Sequence, residues 1–243
     1  MELYTQFERR VGSDELDRFR EMCRRRAGGE PIAYIRGRKE FMSIELRVTP
    51  AVLVPRPETE TLVEEGLRLL RGGGLEAPRV LDVGTGSGAI LLALLHHHPP
   101  ATGVGTDISE SALEVARDNA NRLRLAERAE FRVADLAAGV EERFDLVTAN
   151  LPYVDPAWPD AVHPAVAASE PGQALFAADG GLELVKRLID DLPRLLCPDG
   201  VALLEVDPRN AAAALAHARS AGSARLLPDL AGRDRVLVVE GLA

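Results

Sequence analysis

The chain has 243 residues, enough for one large domain with a small appendage, and its 46% hydrophobic content excludes low-complexity disorder over its bulk. A formal net charge of −9 argues against electrostatic wrapping of naked nucleic acid. The two cysteines, Cys23 and Cys197, lie far apart, which excludes a disulfide scaffold or cysteine-rich zinc site and fits a reducing cytoplasm.

No run approaches the ~18 apolar residues of a membrane span. The opening MELYTQFERR is too charged for a signal peptide. The expectation is a soluble cytoplasmic protein.

In chain order, Ser13 is the expected cap of a helix that stops at Gly28-Gly29 and ends in Arg24, Arg25 and Arg26. Those arginines read as a solvated helix end facing the negative carbonyl terminus, in preference to an RNA contact. Phe41, Ile44, Leu46 and Val48 in KEFMSIELRVTP suggest a hairpin. A helix over about 58–70 follows and runs into Gly72-Gly73-Gly74.

From Arg79 the pattern becomes strand–helix repeats. Strands are expected at Arg79–Val83, Thr102–Thr106, Glu130–Val133, Phe144–Ala149, Val201–Val206 and Val236–Glu240. Helices are expected near 89–95, after the Ser109 cap, and near 181–196 and 209–220. This alternation predicts an α/β fold with a doubly wound, mostly parallel sheet. The expected division is a helical appendage at 1–30, hairpin and linker helix at 31–75, and the α/β domain at 76–243. The run His96-His97-His98 precedes two prolines at a helix end; consecutive side chains point around a helix, so capping and exposure explain it and no metal site is expected.

The strongest chemical signal is Asp82-Val83-Gly84-Thr85-Gly86-Ser87-Gly88, directly between a strand and a helix. Glycines there let the backbone turn sharply and let a ligand approach it. Asp107 follows 23 residues after Gly84, at the end of the second strand, where an acid can accept ribose hydroxyls. The spacing GxGxG does not meet the dinucleotide fingerprint GxGxxG.

The second signal is Asn150-Leu151-Pro152-Tyr153, directly after the strand Phe144–Ala149. The Asn150 side-chain oxygen and the Leu151 carbonyl can accept from a planar –NH2 group, and Tyr153 offers it a flat face. Pro152 biases Leu151 to an extended backbone.

An acidic residue with GxGxG resembles the first motif of class I methyltransferases, and [ND]-x-P-[YFW] resembles the substrate motif of amino methyltransferases. The wider sequence resembles the HemK/PrmC family, which methylates the glutamine of the GGQ motif in peptide chain release factors. The resemblance rests on Pro31–Gly37, Lys39-Glu40-Phe41, Val54-Pro55-Arg56-Pro57-Glu58-Thr59-Glu60, Glu170-Pro171, Asp179–Leu182 and Gly232–Arg235, and spans about 31–240. The stretch Arg56–Glu60 discriminates best, because generic methyltransferases lack it. Two departures stand out: Leu151 replaces the family's first proline, and only about thirty residues precede Pro31, where the family carries a larger helical docking domain.

The resemblance implies a seven-stranded Rossmann-like sheet, S-adenosyl-L-methionine as cofactor with S-adenosyl-L-homocysteine as product, and a release factor as partner. It places Gly84, Thr85, Gly86, Ser87 and Gly88 under the methionine part of the cofactor, Asp107 on the ribose, Asp135 and Leu136 by the adenine, and Asn150 at the cofactor as well as the substrate. Asn150, Leu151, Pro152 and Tyr153 are then the catalytic and substrate-binding set, with no metal and a monomer as the expected state.

The alternative is an N6-adenine methyltransferase acting on RNA or DNA, suggested by Asn-Leu-Pro-Tyr; the net −11 of residues 41–243 weighs against it. Glu58 and Glu60 are expected to stabilise a first helical turn and to border the cofactor. Glu170 is expected to order a loop. Trp158 is expected to pack within its loop in preference to touching substrate. Glu205 and Asp207 have no assigned role.

Overall fold

The computed structural model describes residues 9–158, 162 and 164–241. An antiparallel hairpin, β1 (Arg38–Phe41) and β2 (Ile44–Arg47), precedes a sheet of seven strands. These are β3 (Arg79–Val83), β4 (Thr102–Asp107), β5 (Ala129–Val133), β6 (Phe144–Ala149), β7 (Leu196–Glu205), β8 (Ser223–Pro228) and β9 (Asp234–Glu240). Their order is β5-β4-β3-β6-β7-β9-β8, with β9 antiparallel to both of its neighbours. The chain winds outward from β3 to β5 and then restarts at β6 on the other side of β3. That reversal opens a crevice at the carboxyl ends of β3 and β6.

Alternation along the strands splits the core into two layers. Val80, Leu146, Leu203 and Val238 face one side, where the helix Glu60–Gly72 buries Leu62, Val63, Leu67 and Leu70 and the helix Ala89–His97 adds Leu91 to Leu95. Leu81, Val147, Leu204 and Val239 face the other, against Val185, Leu188, Ile189 and Leu192 of the helix Glu183–Leu195. The helices Glu60–Gly72 and Glu183–Leu195 supply apolar stripes at helical spacing, while Ala89–His97 is buried all round over Ile90–Leu95, so both faces of the sheet are covered.

Several expectations shift. The first helix, Ser13–Ala27, is capped by Gly12, whose N–H donates to the Glu15 carboxylate at 3.0 Å. Its terminal arginines pair locally, Arg24 with Glu21 and Arg25 with Glu30, as a solvated helix end does. A 3-10 turn, Pro57–Thr59, precedes the helix at Glu60. β7 begins at Leu196, ahead of the Pro-Asp-Gly that suggested a later start. β8 was not read from the sequence, and it supplies the seventh strand that the family resemblance implies.

The histidine run is half-buried at its end instead of simply exposed: His97 Nε2 donates to the Met42 carbonyl at 2.7 Å, and burial lowers the His98 pKa. It therefore docks the helix Ala89–His97 on the hairpin turn. The Glu60 carboxylate accepts from the Met42 N–H at 3.0 Å, so Glu60 braces the same turn instead of only starting its helix.

Asp82, at the end of β3, is fully buried. Its Oδ1 accepts from the Thr148 hydroxyl of β6 at 2.8 Å and its Oδ2 from the Thr85 hydroxyl at 2.7 Å. Burial pushes its carboxyl up from 3.8 to about 6, against these hydrogen bonds. A carboxyl whose folded pKa is raised favours folding below its unfolded pKa, and that contribution is lost as pH rises through the folded value.

Asp82 should therefore remove about 3 kcal/mol of stability between pH ~4 and ~6. Urea unfolding across that window should show the loss in the natural protein, and Asp82→Asn should lack this component. An equal slope in both proteins would place the carboxyl's pKa near its ordinary value.

Candidate active site

The turn Gly84–Gly88 leaves β3 at the crevice and enters the helix Ala89–His97. The Thr85 N–H donates to the Thr106 carbonyl at 2.8 Å, and the Gly86 N–H donates to Asp107 Oδ2 at 2.9 Å. The other Asp107 oxygen accepts the Ser109 N–H at 2.9 Å. Burial raises the Asp107 pKa, while these N–H groups favour its charged form. The carboxylate thus holds the turn in place and keeps lone pairs for a ligand hydroxyl.

A cavity of ≈ 410 Å³ lies over this turn. Its walls come from Gly84–Ser87, Asp107, Ala134–Leu136, Asn150–Pro152 and a segment that includes Phe176. Asp135 and Leu136 border it, but the Asp135 carboxylate accepts from Arg187 at 2.7 Å on the exposed side. Gly88 turns into the helix at φ +78° and does not line the cavity.

Asn150 stands at the carboxyl end of β6, and its Nδ2 donates to the Thr59 hydroxyl oxygen at 3.1 Å. Leu151 is buried, its side chain in the core layer with Val83 and Val147. Tyr153 donates its hydroxyl to Glu205 Oε1 at 3.2 Å, a buried carboxylate at the end of β7. The structure therefore brings Asn150, Leu151 and Pro152 to the cavity wall and tethers Tyr153 just behind it.

The Tyr153 carbonyl accepts from Asn210 Nδ2 at 3.5 Å. It also lies against Gly181, where an added Cβ would sit 1.9 Å from that oxygen. Only glycine fits there, which gives the DGGL stretch a local reason.

The stretch Arg56–Glu60 is a brace around the site. Arg56 pairs with Glu170 at 2.6 Å, and Glu170 also accepts the Val54 N–H at 3.3 Å, so it orders this loop as expected. Trp158 lies 4.0 Å under the Arg209 guanidinium, which is itself held by Asp207; its loop packing is as expected.

Four residues at or behind the site had no role assigned from the sequence. Thr59 and Glu205 anchor Asn150 and Tyr153. Asn119 donates to the Ser87 carbonyl at 2.9 Å and exchanges hydrogen bonds with the Arg47 backbone, tying the hairpin to the glycine turn. Phe176 is a partly exposed aromatic in the cavity wall with no local signal in the sequence.

A Cβ on Gly84, whose φ is +71°, would sit 3.0 Å from Leu151 Cδ2. Leu151→Ala should cost about 2–4 kcal/mol through the cavity it leaves. Gly84→Ala should cost about 1–2 kcal/mol through its left-handed backbone, plus the contact with Leu151. Because Leu151→Ala removes that contact, the double variant should be less destabilised than the sum of the two, by about 0.5 kcal/mol or more in urea unfolding. Strict additivity would mean the two residues do not press on each other.

Residues 76–224 match the family model described as a methyltransferase domain, and residues 1–37 match the one described as the PrmC N-terminal domain. The release factor glutamine methyltransferase of Rhodopirellula baltica is 37% identical over 247 aligned residues, covering 99% of this chain and 83% of that protein. That of Koribacter versatilis is 40% identical, covering 97% and 84%. A methyltransferase from Pyrococcus furiosus superposes with a TM-score of 0.61 at 17% identity over 82% of this chain and 89% of that one, a likeness of fold alone. With identities of this size over nearly whole chains, the protein belongs to the release factor glutamine methyltransferase family.

Proposed function

We propose that the protein transfers a methyl group from S-adenosyl-L-methionine to the side-chain amide nitrogen of the glutamine in the GGQ motif of a peptide chain release factor. The observation that carries this reading is one cavity walled by the glycine turn, Asp107 and Asn150 at the switch point of the sheet. The names of its relatives supply the substrate. The chain's proposed division is a short helical appendage at 1–30, a hairpin and linker helix at 31–75, and the cofactor-binding domain at 76–243.

The residues present fit this cofactor. The backbone of Gly84–Ser87 would leave room for its methionine part, Asp107 would take the ribose hydroxyls, and the wall at Asp135 and Leu136 would receive the adenine. When bound, the cofactor supplies a sulfonium methyl whose leaving group is a neutral thioether.

The protein then has to align and orient. A glutamine amide nitrogen is a weak nucleophile because its lone pair is delocalised into the carbonyl. Asn150 Oδ1 and the Leu151 carbonyl accept its two N–H groups and stabilise positive charge as it grows on nitrogen. Pro152 holds Leu151 extended, and Tyr153, its hydroxyl tethered to Glu205, backs the substrate position from behind the wall. Holding nitrogen and methyl carbon near ~3 Å supplies the rest; as the N–C bond forms and the C–S bond breaks, the nitrogen becomes strongly acidic and gives one of its two protons to solvent.

The N6-adenine alternative is disfavoured, since the relatives matched over nearly the whole chain are named for glutamine and the chain is net negative. Tritiated methyl transfer should label the cognate release factor and leave its GGQ glutamine-to-alanine variant and total rRNA unlabelled. Label on rRNA alone would overturn the substrate. Asn150→Ala should lower kcat by about 100-fold or more with cofactor binding kept, as loss of a charge-stabilising group does. Full activity in that variant would remove Asn150 from the mechanism.

A further inference from the structure

We infer that Phe176 is the aromatic face on which the planar amide of the substrate rests, a substrate-contact residue outside the Asn150–Tyr153 motif. Its effect on turnover rests on the proposed function; the placement of the ring does not.

The reaction divides the space around the amide into three. Its two N–H bonds lie in the amide plane, where Asn150 Oδ1 and the Leu151 carbonyl meet them. The nitrogen lone pair stands perpendicular to that plane, so the methyl carbon arrives at one face. The opposite face needs a surface that makes no hydrogen bond and keeps water from competing for the nitrogen. An aromatic ring is such a surface.

Tyr153 supports that surface from behind and does not form it. Its hydroxyl is held by Glu205 and its carbonyl by Asn210. Among the described residues that line the cavity, Phe176 is the one aromatic side chain. It is 36% exposed, whereas Leu175 and Ala177 on either side are buried, so Phe176 is the large side chain of this stretch that stands out into the cavity. An apolar ring left that far in water adds little to the core; its value is as a contact.

Backbone pairing sets the ring at the substrate end. Val154, the residue after Tyr153, forms a parallel bridge with Phe176. The Val154 N–H donates to the Leu175 carbonyl at 3.0 Å, and the Val154 carbonyl accepts from the Ala177 N–H at 2.9 Å. Bridged backbones lie about 5 Å apart, so Phe176 is registered to the end of the motif that carries Asn150. The Phe176 N–H donates to the Gly172 carbonyl at 3.0 Å, and the ring edge lies against Gly172, 3.9 Å from where a Cβ would stand. Upstream, Glu170 is pinned by Arg56 and the Val54 N–H; downstream, Asp179 pairs with Lys186 at 2.7 Å. The segment is thus fixed on both sides of the ring before substrate arrives, and binding loses little in ordering it.

Phe176→Ala removes the ring, and Phe176→Tyr keeps it. In Phe176→Ala, KM for the release factor should rise about 10-fold, the size of one lost aromatic contact, with kcat within about threefold and cofactor Kd within about twofold. Phe176→Tyr should restore KM. A second readout needs no turnover. The Phe176 ring resonances, identified by their loss in Phe176→Tyr, should move when a Gly-Gly-Gln peptide is added to the natural protein loaded with S-adenosyl-L-homocysteine. They should move less when S-adenosyl-L-homocysteine alone is added.

An unchanged KM in Phe176→Ala would overturn the inference. So would a cofactor Kd that weakens as much as KM rises, which would assign the ring to the cofactor. Should Phe176→Ala not fold, the resonances of the natural protein decide, and a ring silent to the peptide overturns the contact. If the natural protein methylates no release factor, the proposed function fails, while the response of the ring to the peptide still judges the contact.

Discussion

The buried carboxylate of Asp82 is the pin on which the cavity depends. It joins three pieces of backbone: β3, the turn that begins at Thr85, and β6 through Thr148. A left-handed glycine turn has many alternatives in solution, and freezing one costs conformational entropy. Tying Thr85 to the end of β3 selects one of them, and the Gly86 contact with Asp107 selects it again from the β4 side. The same carboxylate sets the height of β6 against β3, and hence where Asn150 emerges. Its burial opposes folding at neutral pH, so the position is kept at a cost in stability.

The elements before the sheet act on the site from outside. Asn119 clamps the Arg47 backbone of the hairpin to the Ser87 carbonyl, and Glu60 and His97 both bind the Met42 turn. The hairpin is thereby locked to three helices, Glu60–Gly72, Ala89–His97 and Glu110–Arg122. Arg56 and Glu170 close the other side, with the Glu170 side chain wholly buried. Breaking one partner of such a pair leaves a charge without compensation, which is why a buried pair specifies a loop position even where its net stabilisation is small.

Much of the fold was legible because its signals are local. β3 and β6 are short apolar runs followed by turn residues, and the glycine turn and Asn150–Tyr153 sit at the strand ends that such runs predict. β8 was missed because Ser223–Pro228 is an edge strand, half-buried along its length, with no run of core residues and a proline at its end. β7 was started late because Pro198-Asp199-Gly200 reads as a turn, yet pairing of Leu196 with Phe144 draws that segment into the sheet. The histidine run was misread as exposed because its partner, the Met42 carbonyl, comes from the hairpin 55 residues earlier.

The site was legible only in its first layer. Residue type and spacing identify Asn150 as an acceptor of –NH2, but nothing local says which way its amide points, because its partner, the Thr59 hydroxyl, lies on a different element. Glu205 ends a strand in Leu203-Leu204-Glu205, where a carboxylate reads as a strand terminus at the rim. Burial changes that reading. A carboxylate removed from water, with one oxygen lacking any hydrogen-bond partner, is expensive, and burial drives its pKa up. Leucine would pack there at lower cost, but it could not accept the Tyr153 hydroxyl, and a carboxylate accepts it more strongly than a glutamine amide does. Local rules of sequence fail at Glu205 because the residue tethers Tyr153 and does not serve the stability of the strand that carries it.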